Sequence, residues 1–325
     1  CIRDRSNIDH SRSIISQMTW FFLAVASAAL LGFYDVFKKQ SLRDNAVIPV
    51  LLINTALSSF LFLPLLCASQ FSWLSPQSHW YVPSAPITHH LLVVGKALIV
   101  LTSWVCGYFA IKHLPLTLVG PINATRPVMT LIGALLIYHE QFNLWQWAGV
   151  LLAILSFFLL SRSGRKEGIH FLHNRYILLL VLAAVLGACS GLYDKFLLAP
   201  ADRGGQGLNA IFVQSWYNYY QFALMLLIFF ILWWPTRKQT TPFHWRWSIV
   251  GISLFLTAAD LFYFYALSVP GALIAVVSMT RRSSVLVSFL FGAFLLHEHN
   301  LRSKAVDLAF VLLSMICLCL GAVLG

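Results

Sequence analysis

The sequence predicts an all-helical membrane protein with ten transmembrane helices, arranged as two inverted five-helix repeats. Three observations predict this fold class. Hydrophobic residues make up 59% of the 325 residues and charged residues only 10%, too few charges for a soluble domain. The apolar runs are continuous and long enough to cross a bilayer as helices, without the alternation of barrel strands. Short motifs also recur in the same order in both halves of the chain.

Ten apolar runs follow one another with short connections, and each is close to the roughly 20 residues that span a bilayer. In order, they cover residues 18–37, 47–66, 92–112, 115–138, 144–160, 175–196, 210–234, 247–267, 271–294 and 303–324. We expect one repeat over 18–169 and the second over 170–325. Residues 1–17 are polar and patternless, and Met18 opens directly onto the first span. We therefore interpret 1–17 as a disordered or non-native extension without a functional role.

Repeated motifs relate the two halves. The letters GFYD at residues 32–35 recur as GLYD at residues 191–194, near the ends of spans one and six. Further matches join Asn54 to Asn218, Tyr108 to Tyr263 and Arg126 to Arg281. An odd number of spans in each half makes the second half enter the membrane from the opposite side. The halves are therefore predicted to be related by a pseudo-twofold axis in the membrane plane.

With this layout, the chain resembles the EamA-domain transporters of the drug/metabolite transporter superfamily. The resemblance rests on a Gly-to-Lys pattern in span one, Gly32 to Lys39, and on span four, where Arg126 and a proline precede Glu140. His139 stands where the family has glycine, and the second half has no proline at the matching step. The resemblance implies a secondary transporter, an exporter or exchanger, that moves a small organic metabolite by alternating access.

Charged residues inside the predicted spans form the candidate site. Arg126 lies well inside span four, Arg281 and Arg282 lie equally deep in span nine, and Asp260 lies in span eight. Each such charge costs roughly 2.5–3.5 kcal/mol on insertion scales, so we expect it to face the bundle interior. One interpretation is that the arginines bind an anionic or zwitterionic substrate, because a guanidinium matches carboxylate or phosphate bidentately. The other interpretation is a permanent ion-pair network with the aspartates.

Asp35 and Asp194 lie near helix ends, in the repeated motif. Each is either a structural salt bridge, with the nearby Lys38 or Lys195, or a carboxylate that couples transport to protons. Asp260 belongs to the same group of coupling or ion-pairing residues. The sequence leaves these alternatives open.

Uncharged polar residues complete the predicted substrate site. Asn54 and Asn218 are amides in the middle of spans two and seven, and they either contact substrate or form hydrogen bonds between helices. Tyr108 and Tyr263 either line a cavity or act as aromatic anchors at the membrane interface. Their placement in matching positions of the two halves favours a shared central site.

Other functional classes lack their motifs. The His-Glu pairs at 139–140 and 297–298 have no second histidine in zinc-protease register, and the sequence has no P-loop. We expect no catalysis, no metal and no cofactor. The net charge of +11 comes from basic connections between spans, which indicates topology and no nucleic-acid partner. The expected partners are a small-molecule substrate and membrane lipid, and a homodimer stays open.

Membrane orientation follows from the same basic residues. Lysine and arginine are concentrated after spans one, three, five, seven and nine, and are rare on the other face. The positive-inside rule then places both termini outside the cytoplasm, whereas the resemblance implies the reverse. We expect a multi-pass protein of a bacterial inner membrane. The alternative function is a non-transporting scaffold or sensor on the same fold, which predicts no central cavity and permanently paired arginines.

Overall fold

A computed structural model of the chain describes most of its residues. The described residues are 2–78, 80–126, 128–130, 132–133, 143–165, 174–198, 205–268, 277, 280–281, 283–294 and 301–324. Every regular element in these ranges is helical, which confirms the predicted all-helical class. Helices satisfy their own backbone hydrogen bonds, as a bilayer requires.

Ten labelled helices divide evenly between the two halves of the described chain. The first half contains α1 (Ile2–Leu42), α2 (Val47–Gln70), α3 (Ile87–His113), α4 (Leu116–Ala124) and α5 (Leu144–Arg165). The second half contains α6 (Arg175–Leu198), α7 (Ala210–Ile228), α8 (Ser248–Ser268), α9 (Ser284–Phe294) and α10 (Leu301–Leu324). A π-helical turn, Phe229–Trp233, and a final turn, Trp234–Thr236, extend α7.

Six described helical segments are long and apolar enough to cross a membrane. They are Trp20–Leu42, Val47–Gln70, Ile87–His113, Arg175–Leu198, Ala210–Thr236 and Ser248–Ala266. These segments correspond to predicted spans one, two, three, six, seven and eight. Predicted spans four and nine fall partly on residues outside the described ranges, and within predicted spans five and ten only the shorter apolar segments Trp147–Ser156 and Leu308–Cys317 are found. The structure thus describes a multi-pass membrane protein and does not by itself establish the count of ten.

The N-terminal segment is helical in the structure, and its interpretation as a non-native extension stays a prediction. Helix α1 begins at Ile2, so residues 2–17 are helical, whereas the sequence predicts a disordered or non-native extension. The segment contains neither proline nor glycine, the two residues that interrupt a helix most strongly. The part of α1 that can cross a membrane begins only at Trp20.

Helix packing joins the two halves along their whole length. Helix α1 packs against α8 and α9, while α6 packs against α3 and α4. Helix α2 packs against α8 and α3 against α7. Three further contacts pair α2 with α7, α4 with α9 and α5 with α10. When α1–α5 are exchanged with α6–α10 in order, this set of contacts maps onto itself, whereas a further contact of α4 with α10 has no counterpart of similar extent among the described helices. The core therefore lies between the halves.

Two residues of the Gly-to-Lys pattern in α1 make close helix contacts. A Cβ atom at Gly32 would lie 2.4 Å from Cβ of Val287, so only glycine allows α9 to approach this closely. Lys39 Nζ donates hydrogen bonds to the carbonyl oxygens of Ile111, at 2.8 Å, and Leu114, at 2.5 Å. These carbonyls lie at the C-terminal end of α3, where helical carbonyls lack backbone partners. The pattern therefore has a packing role.

Candidate functional site

A cavity of about 180 Å³ lies between the two halves of the chain. Helices α1, α3 and α4 line it from the first half, and α6, α7, α8 and α9 line it from the second. The charged residues in its described lining are Lys38, Lys96, Arg126, Arg281, Asp35, Asp194 and Asp260. Among these side chains, the bases outnumber the carboxylates by one.

Two of the ion pairs lie within a single half. Lys38 Nζ donates to Asp35 Oδ1 at 2.7 Å, across one turn of α1. The Arg281 guanidinium pairs with Asp260 of α8, and its Cζ lies 4.4 Å from the centroid of the Tyr263 ring. The Arg281–Asp260 pair is the contact that the ion-pair interpretation expects. Arg281 is therefore neutralised by the protein itself in this structure.

The third ion pair joins the two halves. Asp194 of α6 pairs with Lys96 of α3, and not with the lysine next to it in the sequence. Lys96 is 3% exposed, and its Nζ lies 4.9 Å and 4.8 Å from the ring centroids of Tyr217 and Phe264. Lys96 is not among the residues that the sequence analysis predicts for the site, although α3 begins at Ile87 and carries it inside the span. A single lysine within an apolar run is the signal that identifies such a residue.

Arg126 has no carboxylate at ion-pair distance among the described residues. Its Nε is buried and has no hydrogen-bond partner in the same part of the chain. Three guanidinium atoms lie 2.7–3.0 Å from the place that a Cβ atom would occupy at Gly187 of α6. Glycine therefore makes the room that the guanidinium occupies at the cavity wall. Arg282, the third predicted arginine, lies outside the described residues.

Both arginines lie beside an interruption of their helix. Helix α4 ends just before Thr125, whose hydroxyl donates to the Ile122 carbonyl oxygen at 2.7 Å. The proline that follows Arg126 in the sequence cannot donate the next helical hydrogen bond. In the second half, the Ser283 amide and hydroxyl both donate to the Thr280 carbonyl oxygen, and α9 begins directly afterwards. Interrupted helices at membrane depth are tolerated where they line a cavity.

The predicted tyrosines both reach the cavity, from α3 and α8. Tyr108 accepts a hydrogen bond from the Tyr34 hydroxyl at 3.4 Å. Lys38 Nζ lies 4.2 Å from the Tyr34 ring centroid and 5.3 Å from that of Tyr108. The Tyr263 ring makes the same kind of contact with the Arg281 guanidinium. The aromatic faces therefore stabilise the cavity's own bases by cation–π contacts.

The predicted asparagines lie away from the cavity, in a buried polar region between α2, α7 and α8. Ser253 Oγ donates to Asn54 Oδ1 at 3.0 Å, and Ser59 Oγ donates to the Asn218 carbonyl oxygen at 2.9 Å. The Nδ2 atom of each amide is buried without a hydrogen-bond partner among the described residues. The Ser253–Asn54 bond is an interhelical hydrogen bond of the second interpretation, whereas Asn218 accepts one through its backbone carbonyl.

Metal-binding geometry is absent from the described part of the chain, where no three His, Cys, Asp or Glu side chains come together. The His-Glu pairs at 139–140 and 297–298 lie outside it.

Comparison with known proteins identifies the fold and a transporter domain in the first half of the chain. No curated protein matches the sequence. A solved structure described only as "Crystal structure of protein" matches with a TM-score of 0.60 and 14% identity, over 92% of this chain and 97% of that chain. At this identity the likeness shows the fold alone. Residues 18–162 match the EamA-like transporter family. Residues 18–162 thus form an EamA-like transporter domain of the drug/metabolite transporter superfamily.

Proposed function

We propose that this protein is a secondary transporter that carries a small anionic or zwitterionic metabolite across a bacterial inner membrane by alternating access. The observation that carries the proposal is Arg126, whose guanidinium lies at the cavity wall with a buried Nε and without a carboxylate partner in the described chain. An unpaired charge at membrane depth is costly. The carboxylate or phosphate of a substrate would supply the missing partner in bidentate geometry.

The four cavity bases have different roles in this proposal. Arg126 binds the anionic group of the substrate. Lys38, Lys96 and Arg281 already hold carboxylates of the protein, so a substrate anion competes for them with Asp35, Asp194 and Asp260. Those carboxylates are the groups that would meet a substrate ammonium or carry a coupling proton.

The exchange symmetry of the helix contacts supports ten helices in two inverted repeats, 18–169 and 170–325. Apart from the contact of α4 with α10, each contact between halves that the described helices make has a counterpart with the halves exchanged. The solved structure of the same fold covers nearly the whole chain, beyond the first repeat. The matching arginines also reach one cavity from both halves. In such an arrangement the two halves exchange conformations, and a central site opens to either face in turn.

Cavity size supports a small solute. The volume of about 180 Å³ is below the roughly 300–1,000 Å³ of pockets for drug-sized ligands. A metabolite with few heavy atoms and one anionic group fits this space and its charge.

A scaffold or sensor on the same fold is the second candidate function, and the Arg281–Asp260 pair favours it. That function predicts permanently paired arginines, as seen here for Arg281. It also predicts no central cavity and no unpaired arginine. The cavity and the surroundings of Arg126 therefore favour transport.

A two-stage experiment tests the proposal. Purified protein is screened for thermal stabilisation by amino acids, carboxylates and sugar phosphates, and each stabilising compound is then tested for uptake into proteoliposomes. We expect uptake by the wild-type protein and reduced uptake by Arg126→Lys, which keeps the charge but loses the bidentate fork. Arg175→Lys is the matched control, because Arg175 is exposed and lies outside the cavity lining. Normal uptake by Arg126→Lys and Arg126→Ala would rule out Arg126 as the substrate ligand.

A further inference from the structure

We propose a second ligand site, a pocket at one end of the helix bundle that binds the phosphate of an anionic phospholipid. The pocket has a volume of about 100 Å³ and lies between the start of α2, the end of α3 and the end of the α7 segment. Its polar side chains are Lys112, Trp233, Thr236, Thr240 and Thr241. No described residue lines both this pocket and the central cavity. The inference is therefore independent of the proposed transport function.

Hydrogen-bond donors define the chemistry of the pocket. Lys112 Nζ donates one hydrogen bond to Thr241 Oγ1 at 2.9 Å, and an ammonium group has three donors. Trp233 Nε1 is buried and has no partner among the described residues, although a buried indole N–H ordinarily finds one. No carboxylate belongs to the described lining, and the nearby Asp44 lies outside it, 4.0 Å from Arg43. A cation and an unused neutral donor fit the oxygens of a phosphate.

A π-helical turn places the indole at this pocket. The turn covers Phe229–Trp233, and the ring centroids of Phe229 and Trp233 lie 5.1 Å apart in a stacked arrangement. A π turn inserts an additional residue into an α-helix and shifts the side chains that follow it. Trp233 is therefore half-buried, whereas its neighbours Leu232 and Trp234 are exposed.

Apolar surface beside the pocket favours a lipid over a soluble anion. Leu232 lines the pocket and is 57% exposed, and Phe230 and Ile231 of the same segment are also exposed. If the acyl chains of a lipid cover this apolar surface, the phosphate attached to them lies at the same depth in the membrane as the pocket. Trp234 is exposed one residue further, and Arg237 Cζ lies 4.0 Å from its ring centroid. Such pairs are typical of the boundary between hydrocarbon and headgroups.

The positive charge on this face of the protein is complementary to an anionic lipid. The pocket lies beside the connections after α3 and α7, which belong to the face that carries most lysines and arginines. The positive-inside rule assigns that face to the cytoplasmic leaflet, where anionic lipids attract basic residues. A phosphodiester with a small headgroup satisfies both the donors in the pocket and the apolar surface next to it.

Lipid binding by purified full-length protein tests the site. Native mass spectrometry measures phosphatidylglycerol bound to the wild-type protein and to Lys112→Gln, Trp233→Phe and Lys238→Gln. We expect Lys112→Gln to weaken binding roughly five- to tenfold, the effect of one basic residue near a membrane surface. Trp233→Phe keeps an aromatic ring but removes the N–H, so we expect a loss of about two- to tenfold. Lys238→Gln is the control. Lys238 lies on the connection after the α7 segment, which also contains Thr240 and Thr241, but it does not line the pocket.

Thermal unfolding provides the second measurement. We expect phosphatidylglycerol to raise the unfolding temperature of the wild-type protein more than phosphatidylcholine or inorganic phosphate does. Equal stabilisation by phosphatidylcholine, or equal lipid affinity of Lys112→Gln and Lys238→Gln, would overturn the proposal. Stabilisation by inorganic phosphate that matches phosphatidylglycerol would assign the pocket to a soluble anion and overturn the lipid assignment. If Lys112→Gln does not fold, Trp233→Phe decides the question alone.

Discussion

The two matching arginines of the cavity have different surroundings. Arg281 pairs with Asp260 and stacks on an aromatic ring, whereas Arg126 lies against Gly187 and has no carboxylate partner in the part of the chain that the structure describes. When Tyr108 is aligned with Tyr263, the position that corresponds to Asp260 is a valine in α3. The two halves therefore share matching arginines but not the acid that pairs with one of them. Among the described residues, Arg281 has an internal ion pair and Arg126 has none, and in the proposed function only Arg126 binds an external anion.

The largest expected effect separates the arginines by stability. Arg281→Ala leaves Asp260 as an unpaired buried charge, and breaking such a pair from one side costs about 3–5 kcal/mol of folding free energy. Chemical unfolding of the purified variants measures this cost. Arg43→Ala is the control, because the Arg43–Asp44 pair is exposed and exposed pairs contribute about 0–1 kcal/mol.

The double variant of this pair makes the test specific. Arg281→Ala with Asp260→Ala removes both charges, so its unfolding free energy is expected to exceed that of Arg281→Ala alone. Strictly additive losses for the two substitutions would show that the side chains do not act as a pair.

The next effect separates the arginines by affinity. Arg126→Ala removes the charge that we assign to the substrate anion, and we expect the apparent affinity to fall by roughly 2–5 kcal/mol. Stability should change less than in Arg281→Ala, since no described carboxylate loses a partner. Binding of a compound identified in the stabilisation screen, measured by titration calorimetry, provides the affinity. A large loss of stability with unchanged affinity would reverse the roles of the two arginines.

A smaller effect is expected from the glycine behind Arg126. In Gly187→Ala, the new Cβ would lie 2.7 Å from Arg126 Nη1, and the guanidinium must move. Crowding of this kind costs about 1–3 kcal/mol, which should appear as weaker anion binding. Gly191→Ala is the matched control on the same helix, because its nearest atom, Thr130 Oγ1, is 4.0 Å away. Equal effects of the two substitutions would mean that the position of the guanidinium is unimportant.

The contrast between the arginines was only partly accessible from the sequence. Composition predicts the helical fold because lipid requires every span to satisfy its backbone internally. Depth within a span indicates that Arg126 and Arg281 face the interior. The ion-pair partners of these arginines depend on which helices are neighbours and on how each helix is rotated about its axis. A helix that is apolar on all sides does not reveal in its sequence which face contacts which neighbour. The Lys96–Asp194 pair joins α3 to α6 across the two halves, so local spacing pointed to the wrong lysine.

The smallest effect tests whether the two arginines are chemically equivalent. In Arg126→Ala, the cavity retains Arg281, which Asp260 neutralises. Adding Asp260→Asn removes that negative charge and leaves Arg281 available to an anion in the same cavity. We expect roughly tenfold recovery of the lost affinity, or about 1.4 kcal/mol, within the range of a single hydrogen bond. Recovery stays incomplete because the stacking of the guanidinium on Tyr263 restricts its geometry.

Asp35→Asn in the Arg126→Ala background is the comparison for this recovery. It also removes one negative charge from the cavity, but it releases Lys38, the partner of Asp35, and leaves the Arg281–Asp260 pair intact. Titration calorimetry with the same compound compares the two double variants. Equal recovery in both would indicate a general electrostatic effect of cavity charge. Absence of recovery with Asp260→Asn would mean that Arg281 cannot replace Arg126. Recovery with Asp260→Asn alone would show that the ion pair with Asp260, and not the position of Arg281 in the cavity, prevents Arg281 from binding substrate as Arg126 does.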